Sequence, residues 1–307
     1  MSTAELTQTS PQSERVTAHI VNAFVKDGSG GNPAGVVLDA DHLSAEDRLK
    51  IAAKVGLSET AFVSKSPTET IRLEFFTPNR QIAHCGHATV ATFSYLASIG
   101  RVGEGEASKE TIEGPRKILL KDGAAYMEQL APKYSSEADW LSKGVTNAAV
   151  LASVGLSADQ LQEETAPIVV NTGNNFLILA VKNSDILKAV SPDQAAINEI
   201  SEKLDLIGYY LFSTDTSEDF DATTRMFAPR YGIEEEAATG MAAGPLACYL
   251  YDKRDVKKES LLIEQGRFMR EPSPSKITVN LSLENGAITG LMAGGFGKVM
   301  NSIEVEF

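Results

Sequence analysis

Four proton-carrying side chains lie in or beside short glycine-containing motifs. Glu59 sits in Leu57-Ser58-Glu59-Thr60-Ala61-Phe62, Cys85 and His87 in His84-Cys85-Gly86-His87, and Glu236 just ahead of Ala238-Thr239-Gly240. Carboxyl, thiol and imidazole groups so placed suit metal-free general acid–base chemistry, in which one group takes a proton and gives it back. Each also has a plainer reading. Glu59 fits a solvated strand end, and Glu236, within the run Glu234-Glu235-Glu236, fits an acidic residue complementing a helix start. His87 fits a satisfied polar residue at a helix start, and Cys85 a small buried hydrophobe. Asn32 and Asn174, which follow Gly31 and Gly173, form turns as readily as they contact ligands. Taken singly, none of them decides the chemistry.

The common cofactor signals are missing. Gly28-Ser29-Gly30-Gly31-Asn32-Pro33 carries proline where a dinucleotide fingerprint needs its third glycine, and no phosphate loop, H-E-x-x-H or G-x-S-x-G occurs. His84, Cys85 and His87 are soft ligands, but only His19, His42 and Cys248 stand elsewhere, at no standard zinc spacing. The expectation is a site with no cofactor and no metal.

These residues need elements to position them. Thr89–Ile99 and Met241–Tyr251 contain no charged residue, so each reads as a helix enclosed on all sides. Their starts, at Gly86-His87 and Ala238-Thr239-Gly240, carry free N–H groups and positive dipole ends. Converging in one cleft, two such starts bind a carboxylate without lysine or arginine. Glycine there lets a ligand approach the backbone closely. The substrate-binding candidates are therefore Asn32, Gly86, Thr239, Gly240 and Met241, with Cys85 and Asn174 as further ones.

An enclosed helix needs sheet around it. Short strand-like runs such as KILLK, APIVVN, FLILAV and KITVNL supply it, in series rather than alternating with amphipathic helices. An internal echo indicates duplication. Phe76-Thr77-Pro78 with Ile82 recurs, about half the chain later, as Phe227-Ala228-Pro229 with Ile233, and Gly31-Asn32 recurs as Gly173-Asn174. The expected fold is α+β, with two pseudo-symmetric domains. Each is a curved, mixed or antiparallel barrel-like sheet around a central buried helix. Residues 1–15 read as a polar tail, 16–132 plus 293–307 as the first domain and 133–292 as the second. Ser44 with Asp47 predicts a capping box, and Gly56 a helix stop.

Composition sets outer limits. A chain of 307 residues, 43% apolar and 22% charged, can bury enough surface to fold without staples. A net charge of −13 argues against nucleic-acid and anionic-membrane partners. Two cysteines make no disulfide framework and fit a reducing compartment. No apolar run reaches a membrane span, and MSTAELTQTSPQSER lacks a secretory apolar stretch. The expectation is cytoplasmic.

Together the motifs AFVKDGSGGNPAGVVLDADHLS, LSETAFV, FFTPNRQIAHCGHATVA, RMFAPRYGIEEEAATGMAAG and EQGRFMREPS resemble the PhzF family of phenazine biosynthesis-like isomerases, which share the diaminopimelate epimerase fold. The resemblance runs from about residue 16 to the C-terminus. It implies a homodimer and a cofactor-free isomerase that moves a proton between carbons of a small cyclic acid. In the phenazine enzyme that acid is trans-2,3-dihydro-3-hydroxyanthranilate. It also implies that Glu59 is the proton carrier, that His87 assists binding and catalysis, and that Glu236 takes the acidic position before A-T-G. The backbone at Gly86 and around Gly240 would hold the substrate carboxylate. The family usually reads E-D-P-A-T-G-S, whereas this chain has Glu235-Glu236-Ala237-Ala238-Thr239-Gly240-Met241, losing a proline and a serine hydroxyl. Two alternatives stay open: a catalytically degenerate binder of a metabolite or protein, and a one-thiol amino-acid epimerase using Cys85.

Overall fold

The computed structural model describes residues 14–216 and 219–307. The expected tail lies outside the described residues up to position 13. The first strand starts at Arg15, one residue before the expected limit, because Arg15 still pairs with Glu306.

The two uncharged runs form helices Gly86–Ser98 and Gly240–Lys253, buried over most of their length. Phe93, Leu96, Leu246 and Leu250 are at most 1% exposed, and each such burial contributes about 1.5–3 kcal/mol. The first helix can bury its threonines because Thr89 and Thr92 donate their hydroxyls to the carbonyls of Cys85 and Ala88, at 2.6 and 2.7 Å.

Sheet wraps each helix in the same order of pairings. In the first half Arg15–Ala23, Asn32–Val37, Thr60–Ser64, Ile71–Phe76, Gly105–Thr111, Gly114–Lys121 and Ala124–Leu130 pair successively antiparallel, parallel, antiparallel, parallel, antiparallel and antiparallel. In the second half Ile168–Asn171, Asn175–Ala180, Leu206–Ser213, Ala222–Phe227, Ser260–Gln265, Ser275–Glu284 and Ala287–Gly295 repeat that series. Each parallel crossover after the second strand carries outer helix: Ala45–Val55 in one half, Ser184–Ala189 and Gln194–Leu204 in the other. The duplicated α+β architecture is the one expected.

Three pairings lock the halves together. Ala287–Gly295 runs antiparallel to Ala124–Leu130, so the sheet continues from one half into the other. Lys133–Ser135 leaves the first half to pair with Ile168–Asn171, and Gly297–Glu306 leaves the second to pair with Arg15–Ala23.

The echoes have structural counterparts. Phe75 pairs with Ile82, and Ala228 bridges Ile233, so both Phe-x-Pro segments fold the chain back toward a buried helix. The asparagine echo shifts by one residue. The last paired residues of the two hairpins are Ala23 with Asn32 and Asn171 with Asn175, which makes Asn175 the counterpart of Asn32. The capping box at Ser44–Asp47 and the left-handed Gly56 are both present.

Gln129 ties the second buried helix to the strands beside it. Its Nε2 donates to the Gly240 carbonyl at 2.9 Å, and its Oε1 accepts from Thr172 Oγ1 at 2.7 Å. Gly244 leaves the space this amide occupies, since a Cβ there would lie 2.2 Å from Gln129 Oε1 and 2.8 Å from Leu291 Cδ1. Gly244→Ala is therefore expected to lower stability by about 1–3 kcal/mol through overpacking. Urea denaturation measures this; an unchanged midpoint would show that the amide is free to move aside.

Candidate active site

Glu59 is placed by the strand it introduces. Gly56 ends the helix Ala45–Val55, and Thr60–Ser64 is buried at every position. The Glu59 carbonyl accepts from Gly35 N at 3.0 Å. Glu59 is only 8% exposed, so it is not the solvated strand end of the plainer reading.

His87, second residue of the first buried helix, stands between two carboxylates. Its Nε2 is 3.3 Å from Glu59 Oε2, and its Nδ1 is 3.4 Å from Glu236 Oε1. Cys85 Sγ is 3.5 Å from the same Nδ1. Glu236 is held on both oxygens: Oε1 accepts from Asn32 Nδ2 at 2.9 Å, and Oε2 from Thr239 Oγ1 at 2.5 Å. Asn32 Nδ2 also donates to the Ala238 carbonyl at 3.0 Å. The structure thus gathers Asn32, Glu59, Cys85, His87, Glu236 and Thr239 into one buried cluster.

The two helix starts meet at this cluster. Neither receives a side-chain cap, so their first N–H groups have no capping partner. A Cβ on Gly86 would lie 3.2 Å from Met241 Cγ, so Met241, second residue of the second helix, packs on the tip of the first. Met241 and Met127 also line a cleft of about 1070 Å³ between the halves, with His84, Gln129 and Arg116. Asn174 lines this cleft too, but it makes no contact with the Asn32–Glu236 pair among the described residues.

The electrostatics follow from burial and neighbours. Burial works against a charged His87, while the sulfur of Cys85 and the carboxylates of Glu236 and Glu59 favour it and prevail, holding its pKa well above the ordinary 6.5. Burial, with the nearby Glu59 charge, pushes the Cys85 thiol up against the opposing pull of His87. The Glu59–His87 approach is an ionic contact without hydrogen-bond alignment: Glu59 Oε2 and His87 Nε2 are buried and neither has a hydrogen-bond partner. Glu59, Cys85 and His87 also offer ligand atoms within 4.8 Å of one another, a spacing a metal ion can use. An ion there would have to displace the proton that the carboxylates hold on His87, since only neutral imidazole ligates.

Sequence reasoning passes over Gln265, which organises the second helix start. Its Oε1 accepts from Thr239 N and Tyr210 OH, both at 3.0 Å, and its Nε2 donates to the Glu236 carbonyl at 2.7 Å. The available signal is Glu264-Gln265-Gly266, an amide at a strand end before a glycine with φ of 80°.

The family model for phenazine biosynthesis-like proteins (PhzC-PhzF) matches residues 21–297. The chain belongs to this family. It is 29% identical over 269 residues to the uncharacterized isomerase YddE of Escherichia coli (strain K12), covering 85% of this chain and 89% of that one. It is also 29% identical to the trans-2,3-dihydro-3-hydroxyanthranilate isomerase of Pseudomonas aeruginosa, over 83% of this chain and 87% of that one. The crystal structure of a Bacillus anthracis PhzF-family protein superposes with a TM-score of 0.84 at 26% identity, covering 95% and 99% of the two chains. The chain is an isomerase of the PhzF family with the family's fold. No helix among its described residues is long and apolar enough to cross a membrane.

The raised His87 pKa carries a sign. The folded state binds the imidazole proton more tightly than the unfolded state, so the stability it contributes is fully present below about pH 6.5 and is lost as pH rises through the folded-state value. The stability gap between the native protein and His87→Gln should be largest below that pH and narrow above it. Thermal melts across pH measure this, and a gap that widens with pH contradicts the assignment.

Proposed function

We propose that the protein is a cofactor-independent isomerase that shifts a proton between carbons of a small carboxylic acid, with Glu59 as general acid and base. The observation that carries this reading is the facing pair of buried atoms, Glu59 Oε2 and His87 Nε2, both without a hydrogen-bond partner. Buried polar atoms left unpaired are costly in a folded protein and mark a place where a ligand or a proton belongs.

The substrate carboxylate lies at the helix starts, against the N–H groups of Gly86 and of Gly240–Met241. Glu59 removes a proton from carbon, the C–H electron pair moves into the adjoining unsaturated system, and the same carboxyl group returns the proton at a second carbon. His87, positively charged, stabilises the negative charge that develops on the substrate as Glu59 becomes neutral. Glu236 keeps His87 charged and in place, and Asn32 and Thr239 keep Glu236 in place. Cyclic acids related to the substrate of the Pseudomonas aeruginosa relative are the first to try. A homodimer in a cytoplasmic setting completes the proposal.

A second reading rests on Met241. Its side chain packs on the Gly86 tip where the carboxylate would lie, which suits a binding protein that has given up turnover. Methionine is flexible enough to swing aside, so Met241→Ser separates the two readings: freeing the Gly86 tip should raise turnover in an isomerase, but only ligand binding in a protein that has given turnover up.

The deciding experiment is deuterium exchange from solvent into a panel of small cyclic acids. Glu59→Gln should reduce exchange by about 10²–10⁴-fold, the usual weight of a positioned acid–base group. Exchange that survives Glu59→Gln and is lost in Cys85→Ser would shift the assignment to the thiol.

A further inference from the structure

Lys109 is fully buried, and no carboxylate among the described residues holds it. Its Nζ lies 2.6 Å from Thr89 Oγ1 and 3.2 Å from His84 Nδ1, over the face of Phe75 with 4.9 Å to the ring centroid. A buried amine without a counter-ion is destabilising, so packing alone does not account for a lysine here. What it does hold is His84, which lines the cleft.

The hydrogen-bond directions fix the imidazole. Thr89 gives its own proton to the Cys85 carbonyl at 2.6 Å, so its oxygen must accept from Lys109. While charged, Lys109 has no lone pair to offer and donates in turn to His84 Nδ1. That nitrogen is therefore an acceptor, and the ring proton of neutral His84 is on Nε2. His84 Nε2 has no hydrogen-bond partner among the described residues, although the residue stands beside Met127, Gln129 and Met241 in the cleft wall. Burial, then the charges of Lys109 and Arg116, press the His84 pKa down to about 2, so His84 stays neutral and does not serve as a base. Burial also brings Lys109 down to about 7, so the direction of this bond is set below that pH, where the amine is charged.

We infer that His84 is a second substrate-contacting group, whose Nε2–H donates to a hydroxyl or carbonyl oxygen of the substrate away from its carboxylate, and that Lys109 is the positioning residue that sets its tautomer. This deepens the proposed function and rests on it for the placement of the carboxylate at the helix starts. It narrows the substrate class to acids that carry a further oxygen substituent within reach of the cleft wall. A site built to donate such a bond discriminates against the analogue that lacks the oxygen, because its donor is then left unpaired.

Two measurements test it. The first needs no substrate: ¹⁵N NMR of the imidazoles in the free protein. At pH 6, with Lys109 charged, His84 should show protonated Nε2 and unprotonated Nδ1, while Lys109→Met should release a mixture of tautomers. Methionine fills the same apolar space, so loss of folding is not the expected result, and a merely structural lysine would leave the tautomer unmoved. A native His84 protonated on Nδ1 overturns the inference. The second is calorimetric binding of cyclohexenecarboxylate and its ring-hydroxylated counterpart. The native protein should prefer the hydroxylated acid, and His84→Leu should weaken that acid by roughly tenfold, the loss of about one hydrogen bond, while leaving the parent acid within about twofold. His84→Gln, which offers an N–H at similar reach, should recover most of the difference. Equal affinities in the native protein, or equal losses in His84→Leu, overturn it. A selective loss in His84→Leu together with proton exchange indifferent to Glu59→Gln would sink the proposed reaction and leave the His84 contact standing.

Discussion

The carboxylate of Glu236 is the point through which the two halves share one site. Asn32, from the hairpin of the first half, donates to one oxygen, and Thr239, the residue before the second helix, donates to the other. His87, from the first helix, stands beside it. Without Glu236, Thr239 would lose its acceptor, Asn32 one of two, and His87 one of the groups that raise its pKa. Gln265 adds the outer support, holding the Glu236 carbonyl and the Thr239 amide in place. Such a network is set before any substrate arrives, which is how enclosed polar sites exert large electrostatic effects. Its members lie far apart in sequence and meet because three strand pairings join the two halves.

The two copies share a scaffold, but their residues at matching places differ. The same series of strand pairings surrounds both helices, and their starts meet where Met241 packs on Gly86. Glu59 precedes the third strand of the first half and is enclosed. Asp205 precedes the corresponding strand, Leu206–Ser213, with its side chain 79% exposed and paired to Arg230 at the surface. Cys85 precedes the first helix as Thr239 precedes the second, a thiol on one side and a hydroxyl on the other. In the proposed function, two similar helix tips combined with one acid that has an unpaired buried oxygen would form a site with one reactive side.

Much of this was legible in the residues. The uncharged runs announced buried helices because a helix with no polar face has nowhere else to go, and the strand runs around them had to do the enclosing. The capping box at Ser44 and the stop at Gly56 are local devices, readable within a few residues. Burial of Glu59 became readable only through the resemblance, since composition alone favours solvent for a glutamate. The roles of Gln265, Lys109 and His84 were not readable at all. Each depends on which face of a strand or loop turns inward and on partners that the sheet register brings from tens or hundreds of residues away. The same limit explains the one-residue slip at Asn174: a hairpin's register is set by its turn, and the short turn at Thr172–Asn174 shifts the matching asparagine to Asn175.

The distribution of sulfur and oxygen atoms bears on which isomerisation the site can perform. Inverting a stereocentre takes one group to remove a proton from one face and a second to deliver it to the other. A second thiol is not at hand. Cys248 lies in the middle of the second helix, fully buried, with its thiol pushed up to about 12 by burial and then by the charge of Asp252. The segment opposite Cys85, Ala237–Thr239, contains no sulfur. Glu236 is poorly suited to the part as well, because both of its oxygens already accept hydrogen bonds. Glu59 differs from it in having a buried oxygen with no hydrogen-bond partner. On the proposed function, with Glu59 as the one such group, the proton would leave and return on the same face, which suits a shift between carbons and not an inversion at one.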